Sequence, residues 1–478
     1  MLLLSIIGQL IAIAFSSPHW NLVLLSRISI LSLIYSIFLT YNVYYVDLLG
    51  SGLGIYSGFL QVTSLTQFID VFISLLGICI LGITGFYSID KKNSRELTNL
   101  FDFKQILEYP LLSIFLLLGS QLIISSLNMI SFYLSLELQS FSLYILSSLY
   151  SSKHGLKYYF LGALSSCFVL LGLGLLYSYT GITSLESLAI FNEVNTNIYL
   201  QISILILISG ILFKVASVPF HQWAIDVYDG VPTIITTWLT TLTKISLLIF
   251  LMEFLSSTSS SSGLTILTFL SVLSIVVGSL LGLSQSRIKW LLIYSMVSHV
   301  GFLILSLSIL QEKSLEAFLF YLVQYSLTNL NIFLILIAMG YFCNNPDSED
   351  SPIMYIKSLR GFTKVNSLLS ICFTISLLSL GGIPPFIGFF GKFNILYNTV
   401  SQGYLFITII ILLASVLSIS YYLKVIQSIF FGESTSSFNN IQISTYLSTV
   451  ISLLTLTILV FLIYPDLLLQ LVHLTICK

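Results

Sequence analysis

Residues 210–232 read GILFKVASVPFHQWAIDVYDGVP, and they set a lysine, a proline and a histidine at the end of a run otherwise suited to lipid. Proline lacks a backbone donor and clashes with the preceding turn, so VPF interrupts any helix that enters it. A second such stretch, GGIPPFIGFFGKF at 381–393, places Lys392 just after its own prolines. Irregular backbone at membrane depth is tolerated only where protein packs around it or water reaches it. Both stretches therefore predict broken membrane spans with a titratable side chain beside each break.

The rest of the chain is built for lipid. Of 478 residues, 56% are hydrophobic and 8% charged. The mean hydropathy of +1.01 leaves too little polar surface for a soluble globular protein. Apolar runs of roughly 18 residues or more, each enough to cross a core about 30 Å thick, recur along the whole length. They begin near Leu2, Leu22, Gln67, Pro110, Met129, Tyr158, Ile198, Pro232, Leu264, Leu291, Leu315, Ser367, Tyr404 and Thr445. The expected fold is an all-α polytopic membrane protein of about fourteen transmembrane helices, with no soluble domain between them. The first run has no basic flank and no small-residue cleavage site, so it is expected to stay as a span. Cys79, Cys167, Cys343, Cys372 and Cys477 form no C-x-x-C pair and no cluster with histidine, so they signal neither a disulfide framework nor a metal site. Four arginines against fourteen lysines, with abundant Phe and Tyr, is the usage of an AT-rich gene, organellar or bacterial.

Basic residues in short loops stay on the side of synthesis. Loops after odd-numbered spans hold Lys91, Lys92, Arg95, Lys104, Lys153, Lys157, Arg287, Lys289, Lys357, Arg360 and Lys364, whereas the other loops and the tails hold only Lys313 and Lys478. Both termini are thus expected on the outer, positive side, with Arg27 within a turn or two of the inner face. Four lysines are left over, and all lie within spans: Lys214, Lys244, Lys392 and Lys424.

A lysine at the bilayer centre costs about 2.5 to 3.5 kcal/mol on insertion scales, so a protein that keeps several is expected to use them. The competing reading is snorkelling or a static ion pair. It weighs most for Lys424, nearer the inner end of its span and able to reach the headgroups. Most acids, Asp70 and Glu253 included, fall in loops or at span ends, but Glu137 stands alone in the middle of the fifth span as the natural counter-charge. A carboxylate about 4 Å from an ammonium interacts by roughly 4 kcal/mol at an effective dielectric near 20. Moving such a partner by a few ångströms would therefore move a proton. His299 and His221 complete the intramembrane inventory. A lone helical histidine is usually a packing residue, and only their company with the lysines favours a relay.

The spacing adds a repeat. Lys214 to Lys392 is 178 residues, Lys244 to Lys424 is 180, and Glu137 to His299 is 162. These spacings pair spans four to eight with spans nine to thirteen, and a unit of five spans returns its duplicate upside down. Inverted repeats with broken helices are the architecture of ion-coupled transporters. The expected division is 1–107 for three N-terminal spans and a loop, 108–256 and 257–432 for the two five-helix repeats with broken seventh and twelfth spans, and 433–478 for the last span.

SLELQSFSLYIL, FKVASVPFHQWAIDVYDGVP, WLTTLTKISLLIF, IKWLLIYSMVSHVGFLIL and GGIPPFIGFFGKFNILY together resemble the antiporter-like membrane subunits of the proton-pumping NADH:ubiquinone oxidoreductase, respiratory complex I. The form resembled is the subunit 2 family of fungal mitochondria, and the likeness covers spans four to thirteen. It implies a proton-translocating membrane-arm subunit whose principal protonatable residues are Glu137, Lys214, Lys244 and Lys392, with His299, Lys424 and His221 less firmly in the relay. Lysine at 392 sets it apart from the related subunit 4, which has glutamate there. The resemblance further implies a multi-pass protein of the mitochondrial inner membrane, with subunits 4L and 4 as neighbours, accessory subunits, membrane lipids such as cardiolipin, and no nucleic acid. NADH, FMN, iron–sulfur clusters and ubiquinone would be bound by other subunits and no cofactor by this chain, which has no dinucleotide fingerprint and no iron–sulfur cysteine set. Two rivals remain: a cation/proton antiporter or a subunit of an antiporter complex, and a non-pumping structural link with its lysines in permanent ion pairs.

Overall fold

The computed structural model describes residues 1–15, 22–43, 52–85, 107–194, 197–258, 261–342, 353–432, 443–461, 465 and 469–470. Lys91, Lys92, Arg95, Lys104, Cys343, Cys477 and Lys478 lie outside the described residues. Three N-terminal helices, α1 (Leu2–Phe15), α2 (Leu22–Val43) and α3 (Ser64–Gly85), precede the first repeat. That repeat comprises α4 (Tyr109–Ile124), α5 (Met129–Tyr150), α6 (Ser152–Thr180), a short α7 (Leu185–Val194), the broken pair α8 (Ile198–Val215) and α9 (Gln222–Gly230), and α10 (Thr233–Thr258). The second comprises α11 (Ser261–Leu283), α12 (Ile288–Ile309), α13 (Glu312–Gly340), the broken pair α14 (Ser367–Gly381) and α15 (Ile387–Ser401), and α16 (Leu405–Phe431). The last span is α17 (Thr445–Val460).

Among the described residues ten helices are long and apolar enough to cross a membrane, and the other four of the fourteen apolar runs form the shorter apolar helices α1, α4, α14 and α17. Helix starts follow local chemistry. Asn128 accepts from the Ile130 N–H at the head of α5, and Asn366 accepts from the Leu369 N–H at the head of α14. Gln311 and Ser314 cap α13 reciprocally. One element was not expected: an antiparallel hairpin, β1 (Leu53–Ile55) and β2 (Leu60–Val62), docks on the end of α4 through Gln61 N–H to the Ser125 carbonyl, 2.7 Å.

The helices sort by what surrounds them. In α10, α12 and α13, 94% of the best spanning window is buried within the protein, against 33% for α2, α6 and α16, whose leucines and phenylalanines face outward. A helix apolar all round and enclosed by others is a core helix. Lys244 on α10 and His299 on α12 therefore sit in the interior, away from lipid. Most span serines and threonines are harmless there, because their hydroxyls donate to a carbonyl three or four residues back, as Ser113 does to Pro110 (2.7 Å) and Thr241 to Thr237 (2.7 Å).

Both breaks share one construction. Ala216 (φ +64°) and Gly382 (φ +78°) are left-handed, and each stands three residues before a proline, Pro219 and Pro385, whose preceding peptide bond is cis. The N–H after each left-handed residue reaches back into the helix just ended: Ser217 to Leu212 (3.1 Å) and Ile383 to Leu378 (3.2 Å). Matched breaks in the fourth members of two five-span units, which must run antiparallel, carry the inverted repeat.

They also correct its register. Ala216 and Gly382, like Pro219 and Pro385, are 166 residues apart. The spacings of 178 and 180 do not follow that register. Lys214 precedes its break, whereas Lys392 follows its own. Lys244 lies eleven residues after Thr233 but Lys424 nineteen after Leu405, about two turns further along.

Candidate functional site

The first break exposes backbone carbonyls that need partners, and here the sequence supplies them locally. The Trp223 indole N–H donates to the Phe213 carbonyl at 3.0 Å, and the Ser217 hydroxyl to that of Leu212 at 3.2 Å. Lys214 is thereby left free of the backbone. Its ammonium pairs with Glu137 on α5, Nζ to Oε1 3.7 Å, with side chains only 9% and 17% exposed. That is an ion pair too long to be a hydrogen bond, and neither atom has a hydrogen-bond partner. Ser140 holds the other carboxylate oxygen at 3.3 Å. A cavity of about 30 Å³, the size of one water, adjoins Lys214, with Gln139, Ser140, Ser165 and Thr243 among its walls. Of α10, the helix that carries Lys244, Thr243 and Leu247 reach the cavity wall.

Lys244, on the fully enclosed α10, is 3% exposed, and its closest polar contact is the Met296 sulfur at 3.6 Å. At the second break the orphan carbonyl is met differently: Lys392 turns back from α15 and donates to Gly381 O at 2.8 Å, with its ammonium 5.6 Å from the centre of the Phe302 ring. Of the three ion pairs among the described residues, none includes Lys244 or Lys392.

His299 on α12 lies within electrostatic reach of both Lys392 and Lys244. Its Nδ1 is 2.6 Å from the Tyr321 hydroxyl and its Nε2 3.4 Å from that of Tyr422. On α13 and α14 the serine rule fails. Gln324 Oε1, the Tyr325 hydroxyl, Asn329 Nδ2, both amide atoms of Asn331 and the Ser379 hydroxyl are buried without a hydrogen-bond partner. Buried polar atoms in native proteins are satisfied by protein or by ordered water. These orphans on α13 and α14, with Tyr325 beside His299 and with Gln324 and Ser379 against the first turns of α15, mark polar groups that water would satisfy.

Two other sequence-predicted residues stand apart. His221 caps the start of α9 beyond the first break, with its ring 6.3 Å from that of Tyr294. Lys424 is exposed near the end of α16, beside Lys357 and Arg360. Sequence reasoning missed several groups. Tyr321, Tyr325 and Tyr422 belong to the polar interior, and their signal was a tyrosine in a central apolar span, whose hydroxyl needs a partner. Lys289, expected in a loop, is 2% exposed in the first turn of α12 and donates to Val231 O at 2.8 Å. Asp70, expected at a span end, lies inside α3 with one carboxylate oxygen buried and without a hydrogen-bond partner. Next to Val231, Arg287 pairs with Asp229 at 2.6 Å, and that carboxylate holds the guanidinium above its ordinary value.

Two inverted five-helix units with paired breaks, and lysines buried beside them, define the class of antiporter-like multi-pass membrane subunits. The profile of the family described as NADH:quinone oxidoreductase/Mrp antiporter, TM, matches residues 126–418. NADH-ubiquinone oxidoreductase chain 2 of Rhizopus oryzae is 43% identical over 99% of this chain and 98% of its own. NADH-quinone oxidoreductase subunit N of Wolbachia sp. subsp. Brugia malayi is 34% identical over 68% and 70%. The chain therefore belongs to the NADH:quinone oxidoreductase/Mrp antiporter family, and within it to the chain 2 and subunit N group of respiratory complex I. The solved respiratory complex I of Thermus thermophilus with bound aureothin contains a chain of the same fold, TM-score 0.80 at 24% identity, covering 98% of this chain and 99% of that one.

Proposed function

We propose that this chain translocates protons in the membrane arm of NADH:ubiquinone oxidoreductase through Glu137, Lys214, Lys244, His299 and Lys392. The carrying observation is the loose, buried Glu137–Lys214 pair at the first break, followed by two enclosed lysines without a carboxylate. A buried cation with no fixed counter-ion is costly to keep charged and therefore poised to give up its proton. A change of charge or hydration near Glu137, caused by quinone reduction in another subunit, releases the Lys214 proton toward Lys244 across the Thr243-lined cavity. His299, bridged to Tyr321 and Tyr422, passes it on to Lys392. His221 is a side branch of this path, and Lys424 joins it only at its mouth.

The same reading sets this chain in the mitochondrial inner membrane with both termini on the intermembrane-space side. Its division is 1–107, 108–256, 257–432 and 433–478. Subunits 4L and 4 are its neighbours, with accessory subunits and lipids such as cardiolipin around it. NADH, FMN, iron–sulfur clusters and ubiquinone are held by other subunits. Lys244→Met tests the core of it: in the assembled complex this variant should lower the number of protons moved per electron while NADH oxidation by a hydrophilic acceptor is unchanged. Undiminished stoichiometry would remove Lys244 from the path.

A further inference from the structure

Beyond the proton path, three segments meet at the end of α16 that carries the basic loops. They are the turn Ser284–Ser286 after α11, the 3-10 turn Ile356–Leu359 with Arg360, and the last two turns of α16 from Lys424 to Phe431. Between them lies a cavity of about 460 Å³, within the range of small-molecule sites. Lys357, Arg360 and Lys424 line it, together with Gln285, Gln427 and Ser428. No salt bridge among the described residues engages any of the three cations.

The cradle is fixed by backbone. Ile356 N–H donates to Ser286 O (3.0 Å) and Gly361 N–H to Ser428 O (3.3 Å), so all three segments are tied together whether or not the cations are neutralised. The opening adjoins the lipid-facing surface. Phe431, a wall residue, is 83% exposed, and Leu281, one turn before Gln285, and Leu423, next to Lys424, are exposed too. Three cations that no acid among the described residues pairs, set around a polar hollow, select a phosphate, and exposed apolar side chains near it select one that carries acyl chains.

We propose that this cavity binds the phosphate headgroup of an anionic phospholipid, clasped by Lys357, Arg360 and Lys424, with its acyl chains along Leu281, Leu423 and Phe431. Lys424 is then a headgroup ligand, and the site stands whether or not the proton path does. The chemistry is that of a phosphate, which a lipid or a free anion could supply.

The test is binding of lipid to the purified, delipidated complex in phosphatidylcholine nanodiscs doped with phosphatidylglycerol. Lipid retained after washing is quantified by mass spectrometry, with inorganic phosphate as competitor. Each cation near a membrane surface contributes roughly a fivefold factor in anionic-lipid binding. K424Q and R360Q should each weaken phosphatidylglycerol retention about fivefold, and the triple variant with K357Q on the order of a hundredfold. Phosphatidylcholine retention should not change. Should the triple variant fail to assemble, the two single variants decide alone. Equal retention in wild type and single variants overturns the proposal. So does displacement of the lipid by millimolar inorganic phosphate, which marks a free-anion site. Capture of a neighbouring subunit in place of lipid by a photo-crosslinker at Gln427 overturns it too, marking a protein interface.

Discussion

Glu137→Gln is the sharpest perturbation of the path, because it removes one charge and leaves shape and packing nearly unchanged. At 3.7 Å and an effective dielectric near 20, the Glu137–Lys214 attraction is about 4 kcal/mol. With half of that coupling expressed in the rate-limiting transfer, about 2 kcal/mol, proton-coupled turnover falls roughly thirtyfold. The assay is the assembled complex in proteoliposomes, with internal acidification and quinone reduction followed together. NADH oxidation by a hydrophilic acceptor serves as the control for the redox arm, and a native gel confirms assembly. Glu137→Asp, which keeps the charge on a shorter stem, should recover part of the loss. The reasoning is refuted if Glu137→Gln and Lys214→Met both pump with full stoichiometry at normal turnover, for the pair would then be a static bridge.

Three further outcomes follow from the geometry. Trp223→Phe withdraws the donor to Phe213 O and leaves a buried carbonyl unmet, so the complex should lose about 1 to 3 kcal/mol of stability, seen as a lower melting temperature of this subunit. Gly382→Ala forces a left-handed alanine, about 1 to 2 kcal/mol, and its Cβ would sit 2.8 Å from the Lys392 Cδ, so proton stoichiometry should drop with stability. Gly403→Ala, equally left-handed but with open space around it, should cost stability alone. Arg287→Gln opens the partly exposed contact to Asp229, and its cost should stay within about 1 kcal/mol and shrink as salt is added, measured by thermal shift across ionic strengths.

How far the sequence speaks here depends on whether one residue acts through its own covalent chemistry or through its neighbours. Fourteen apolar runs translate directly into apolar helices, ten of them long enough to cross and four shorter, because length against bilayer thickness is a one-dimensional constraint. Both breaks were legible for a similar reason, since Pro219 and Pro385 end a helix whatever surrounds them. The approach of Glu137 to Lys214 was legible too, because a lone acid among apolar spans has few cations to choose from. Register was not. Spacing between like residues misaligned the repeats by about a dozen positions, because it assumed that lysines occupy equivalent places, although the prolines already set Lys214 before its break and Lys392 after its own; the paired left-handed residues fix the register at 166. Nor could spacing reveal that Trp223 serves the first break's carbonyl while Lys392 itself serves the second, which decides which lysine is free to meet an acid. Nor could spacing show that the hydroxyls of Tyr321 and Tyr422 and the ring of Tyr325 meet one imidazole.

One consequence of the mirrored breaks is electrical. Spans seven and twelve run in opposite directions, and since Lys214 comes before its break and Lys392 after its own, both lysines approach the breaks from the same leaflet. On the proposed path a hydrogen ion handed from one to the other thus begins and ends on the same side of the paired breaks. A full crossing demands roughly 2.3 kcal/mol per 100 mV. The work against the field therefore falls on the entry from one surface and the exit to the other, and those are the steps whose rates should respond to an imposed voltage.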